Sequence, residues 1–267
     1  MKITLFLDAW RDAELAPRLA TRLPTHLTSA LPRQLHQESF AEPLDAGYHW
    51  LSRQFGLADG AALAAAFAGT DTPGSYEALP CHWFLARDHI RLNAAPALDL
   101  ADAQALAEAA RAALDGLVEI DVVSADFWRV GTPFASSCEP FLQALNQNVD
   151  PLLGSTDGHK ALRRMLNVIQ TAWWDHPVNQ AREAAGLPVI NSLWLAGGTA
   201  PAPALVPFDA IVGDGPRAAA LARWAGLPLL ARPEREKSCL VWSEIMRHTL
   251  LHGQPPPEMA ALQGELV

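Results

Sequence analysis

The chain has 267 residues, half of them apolar, and a net charge of −9. That is ample apolar material for a buried core and too little charge for a disordered chain. It excludes the concentrated basic footprint that a nucleic-acid backbone demands, and no run approaches the ~20 continuous apolar residues of a membrane span.

Residues 3–7, cut off by Asp8, read as an edge or first strand rather than a signal peptide. From there to about Gly74 the chain is helical in flavour, most strongly over 61–67, and Thr70-Asp71-Thr72-Pro73-Gly74 forms a loop. Residues 82–85 and 89–92 suit a hairpin with Arg87-Asp88 at its turn. A helix follows over 100–114, capped by Asp99 and stopped by Asp115-Gly116, then strands over 118–123 and 128–130. Residues 159–174 place Leu162, Met165, Leu166, Ile169 and Trp173 on one helical face. Pro177 opens a short helix that ends at Gly186. Strands are expected over 189–195, 209–212 and 227–230. The first is closed by Gly197-Gly198, and the second is joined to the third by Gly213-Asp214-Gly215-Pro216 and a helix over 217–225. Strand, glycine turn, helix and strand imply parallel pairing. The expected fold is α/β: a mixed, partly parallel sheet flanked by helices. It forms one domain over 1–253, with a helix-rich part over 1–78 and a flexible tail over 254–267.

Cys81, Cys138 and Cys239 match neither a disulfide framework nor zinc spacing, so a reducing, cytoplasmic setting is expected. Cys81-His82 with His89 likewise offers no metal set, and structural histidines are the plainer reading. Ser192 lacks a Gly-x-Ser-x-Gly elbow. Trp173-Trp174, Trp194 and Trp224 read as core. The sharpest local feature is Asp175-His176-Pro177-Val178-Asn179-Gln180-Ala181-Arg182. A helix start exposes amides that attract anions, and Asn179 and Arg182 share a face three residues apart. The plainer alternative is a helix capped by Asp175 or His176, with Arg182 paired to a carboxylate. Gly197-Gly198-Thr199 and Gly213-Asp214-Gly215 follow strands, as backbone nests for an anion or as ordinary turns.

The runs Leu166-Asn167-Val168-Ile169-Gln170, Asp175 through Gly186 and Ile190-Asn191-Ser192-Leu193-Trp194-Leu195-Ala196-Gly197-Gly198, with Cys81-His82-Trp83 and Ala86-Arg87-Asp88-His89-Ile90-Arg91-Leu92, resemble RpfE-type regulatory proteins. That resemblance spans about 79–233. The later run is also similar to archaeal-type, cofactor-independent phosphoglycerate mutases of the alkaline phosphatase superfamily. The resemblance implies that His176, Asn179 and Arg182 face a small phosphorylated or carboxylated metabolite, with Gly197 and Gly198 beside it and Arg87 reaching in from the hairpin. Such mutases use two metals and a serine nucleophile. Here Asp8 is the one suggestively placed residue, no Asp-Gly pair follows it, and Glu244, His248 and His252 bring no aspartate. The expectation is a catalytically degenerate, regulatory binder with no cofactor, an unidentified protein partner, and no nucleic-acid or membrane ligand. A metal-dependent mutase or phosphatase with unrecognised ligands is the alternative.

Overall fold

The computed structural model describes residues 2–7, 46–94, 98–234 and 237–243. Asp8, Glu244, His248, His252 and the tail over 254–267 lie outside them.

Two sheets form instead of one mixed sheet. The larger is antiparallel, with order β3 (Ile90–Ala94), β2 (Gly74–Leu85), β5 (Phe127–Thr132), β4 (Glu119–Ser124), and with β6 (Ser192–Gly198) on the other side of β2. The smaller is parallel, with order β1 (Lys2–Leu7), β9 (Ser238–Ser243), β7 (Ala210–Val212), β8 (Leu229–Leu230). The expected parallel unit is therefore present at β7 and β8, while the strand before it belongs to the antiparallel sheet.

Strand β2 organises the larger sheet. Its first half pairs with β5 and its last residues with β3, while β6 runs along the opposite edge from Ser75 to Cys81. Both edges are occupied, so Gly74–Cys81 is buried without the alternation that marks a half-exposed strand. Pro80 looks misplaced in so central a strand. However, Cys81 accepts from the Asn191 amide, so odd residues turn toward β6 and Pro80 faces the other way. There β5 has ended at Ala78 and β3 begins at Cys81, so the missing N–H leaves no ladder bond unmade.

Helix α1 (Ala46–Gln54) leads to α2 (Gly60–Ala68), which lies between the two sheets. Asp59 caps α2 through the Ala62 amide, and left-handed Gly69 ends it. Its alanines let the helix backbone come so close to β6 that a Cβ on Gly197 would meet the Ala65 amide at 3.1 Å. On the other side Phe67 meets Trp242 of β9 edge-on, centroids 5.5 Å apart.

Helix α3 (Leu100–Ala113) carries the expected Asp99 cap. Two single-turn helices, α4 (Phe141–Ala144) and α5 (Val149–Leu152), precede α6 (Asp157–Trp173). All five expected face residues of α6 are buried. Trp173 donates to the Leu106 carbonyl at 2.8 Å and stacks edge-on with Trp128. Full burial of side chains this size contributes about 1.5–3 kcal/mol each. Trp174 does not join the core: α6 ends one residue earlier, and Trp174 lies off the apolar face, 87% exposed. Helices α7 (Pro177–Ala184) and α8 (Pro216–Ala225) are the last two helices among the described residues.

Candidate functional site

Helix α7 forms where expected, but its start is closed. His176 is the N-cap, and its Nδ1 accepts from the Val178 amide. Pro177 has no amide hydrogen, and the Asn179 and Gln180 amides both donate to the His176 carbonyl. Every amide of the first turn is thus accounted for within the chain, and none is left to receive an anion.

Asn179 and Arg182 are spent in the same way. The Asn179 side chain donates to the carbonyls of Trp173 and Ile190 and accepts from the Ile190 amide, each at 2.8 Å, with the residue 3% exposed. Arg182 is equally buried and donates from Nε to the Pro188 carbonyl at 2.8 Å. Burial pushes its pKa down, against the opposing pull of Asp102. These two side chains staple the turn between α7 and β6, so the expected ligand-facing role gives way to backbone satisfaction. Of the plainer alternative, the His176 cap is present, and Arg182 binds a carbonyl while feeling the Asp102 carboxylate.

The remaining expected residues stand apart. Arg87 is exposed at the β2–β3 turn. Gly197 and Gly198 sit at the far end of β6 from Ser192, roughly 20 Å away at the rise of a strand. They are needed for close approach. Gly197 has φ 135° and exchanges hydrogen bonds with Cys138, while a Cβ on Gly198 would strike the Ser136 carbonyl. The Gly197 amide is therefore occupied. His82 binds the Val189 carbonyl and His89 binds Asp88, consistent with structural roles. Burial raises the thiol of Cys81 far above its usual range and that of Cys138 to about 12. Among the described residues no three His, Cys, Asp or Glu gather as a metal set.

The arrangement that stays open is the turn from β7 into α8. Gly213 lies against Ala218 and Trp242, where a Cβ would sit 2.9 Å from both. This draws the start of α8 onto the C-terminal edge of the parallel sheet, where open sheets of this kind bind ligands. Gly215 is the N-cap and offers no side-chain acceptor, and Pro216 follows at the first position. Asp214 is exposed there, as is Arg232, which follows β8 at the same edge because Val212 pairs with Leu230.

Arg217, the second residue of α8, turns away from that edge. It is fully buried, donates to Glu77 of β2 at 2.7–2.8 Å and to the Asp126 carbonyl at 2.9 Å, and lies 4.8 Å from the Phe127 ring centroid. Tyr48 donates to the other Glu77 oxygen at 2.8 Å. No periodicity marks this link between the two sheets in the sequence; the one available hint is an acid, Glu77, amid an apolar run.

No family model and no curated protein matches this chain. Among solved structures it is similar to the PH0037 protein from Pyrococcus horikoshii, with TM-score 0.49 and 14% identity over 90% of this chain and 69% of that one. It is also similar to the cofactor-independent phosphoglycerate mutase from Thermoplasma acidophilum DSM 1728, with TM-score 0.41 and 17% identity over 75% of this chain and 65% of that one. With TM-scores under 0.5, neither similarity assigns an activity to this chain.

Proposed function

We propose that this chain is a phosphoglycerate-mutase-like regulatory protein of the RpfE type that holds a small phosphorylated or carboxylated metabolite in the cytoplasm without turning it over. The family part of this reading rests on the sequence motifs. The binding part rests on one observation: the start of α8 has no side-chain cap where it meets the C-terminal edge of the parallel sheet. Amides and partial positive charge at such a start favour an anion by about 0.3–1 kcal/mol. Arg232 at the same edge supplies a planar fork suited to a carboxylate or phosphate. Asp214 opposes this, but an exposed charge ~6 Å away in water costs only about 0.7 kcal/mol.

Gly215 has φ −77°, which any residue adopts, so Gly215→Asp fills the cap without strain. The variant gains a few tenths of a kcal/mol in stability, while its affinity for 3-phosphoglycerate or inorganic phosphate falls at least ~10-fold by calorimetry, the equivalent of about 1.4 kcal/mol. Arg232→Ala lowers the affinity without moving the melting temperature. Unchanged affinity in both variants places the anion elsewhere. Stoichiometric manganese or zinc with turnover of phosphoglycerates replaces this reading with the metal-dependent enzyme.

A further inference from the structure

We propose that Ser136 is a nucleophile, activated by His159 through Thr156, that accepts acyl groups from small esters. The three side chains form a continuous line: Ser136 Oγ lies 3.1 Å from Thr156 Oγ1, which lies 2.7 Å from His159 Nδ1. The far ring nitrogen, Nε2, sits 2.9 Å from the Ser137 carbonyl. That last contact fixes the direction of the whole line. A carbonyl only accepts, so Nε2 carries the proton and Nδ1 is bare. Nδ1 then accepts from the Thr156 hydroxyl, whose oxygen accepts from Ser136. A serine becomes nucleophilic when a base oriented by a third group takes its proton; here the Thr156 hydroxyl relays that proton to His159.

The surroundings hold this line in place. Tyr76, whose phenol burial pushes to about 12, accepts from the Ser136 amide at 2.9 Å. Gly154 leaves room for the His159 ring, and Gly158 leaves room for the Ser136 hydroxyl; a Cβ at either would overlap them. Capping of α6 explains Thr156 and its bond from the His159 amide. It does not require an imidazole at residue 159 or a hydroxyl at residue 136.

The local charges select the substrate class. Lys160 is paired with Asp157, and Arg163 donates to the carbonyls of Asp150 and Gly154. With these cations engaged, a neutral carbonyl is a better electrophile here than a phosphate. Ser136 Oγ bonds to the acyl carbon as its proton passes to Thr156 Oγ1, and the Thr156 proton passes to His159 Nδ1. The carbonyl electron pair moves onto oxygen and, on returning, expels the alcohol, which regains a proton by the reverse route. Water attacks acyl-Ser136 with the same proton path and releases the acid.

The test uses p-nitrophenyl acetate, with nitrophenolate release followed by absorbance and the acetyl group located by peptide mass spectrometry. Acetylation maps to Ser136 and vanishes there in Ser136→Ala. Thr156→Ser keeps the hydroxyl and labels within about threefold of the native rate. Thr156→Asn still caps the helix and retains the melting temperature, but it breaks the line and slows labelling at least ~10-fold, as does His159→Gln. Acetyl groups on lysines alone, or Ser136 labelled as fast in Thr156→Asn as in the native chain, overturn the proposal. None of these outcomes depends on metabolite binding at α8.

Discussion

Helices α7 and α8 both begin with a cap followed by proline, and both carry a buried arginine, yet they do opposite things. At α7 the cap is His176, the amides are consumed, and Arg182 and Asn179 tie down the next turn. At α8 the cap is Gly215, nothing from a side chain covers the start, and Arg217 runs inward to Glu77. The lesson is that an arginine on a proline-started helix says little about anions until its acceptors are known. What leaves a start available is the absence of a side-chain acceptor at the cap, not the presence of a cation.

That contrast is sharpest at Glu77. Glu77→Leu removes the buried carboxylate that faces Arg217, leaving the partly exposed Asp126 carboxylate 4.0 Å away, and costs about 3–5 kcal/mol in urea denaturation. Replacing both partners with apolar residues recovers much of the loss, and an equally large cost in the double variant breaks this account. Asn179→Ala comes next, because it leaves the Ile190 amide and carbonyl without their side-chain partner and the Trp173 carbonyl with only the His176 amide. At about 1–3 kcal/mol for a buried group left unsatisfied, a loss near 3 kcal/mol is expected, with hydrogen exchange accelerated first at Ile190. Arg182→Ala should cost about 1–2 kcal/mol and leave phosphate affinity unchanged. A clear drop in affinity with native stability restores α7 as the binding site.

Much of the secondary structure was legible because it is written locally. The Asp99 cap, the five-residue face of α6, Pro177 and the strand–glycine–helix run at β7 all lie where their residue types place them. Strand β6 was expected from residue 189 but begins at Ser192. Side chains take over the backbone groups before it: Asn179 serves Ile190, and the Asn191 amide bridges both the N–H and the C=O of Trp83, at 2.7 and 3.0 Å. Partners more than a hundred residues apart leave no mark on local pattern. For the same reason the division into two sheets and the Glu77–Arg217 link were invisible, while the Ser136–Thr156–His159 line, although closer in sequence, depends on a loop packing against a helix start. The motif at 175–182 was read as a binding signature, yet the three residues expected to face the ligand, His176, Asn179 and Arg182, each bond to neighbouring backbone. A local motif specifies a helix start equally well for either purpose.

Strands β1 and β9 are neighbours in the smaller sheet, with Lys2 beside Ser238. During translation at ~5–20 residues per second, the earlier strand waits on the order of ten seconds or more for its companion. Through that interval one edge of β1 has no native neighbour, a template for pairing with other nascent chains. Production of this protein should therefore depend on the rate of its own synthesis and on holdase chaperones far more than its equilibrium stability would suggest.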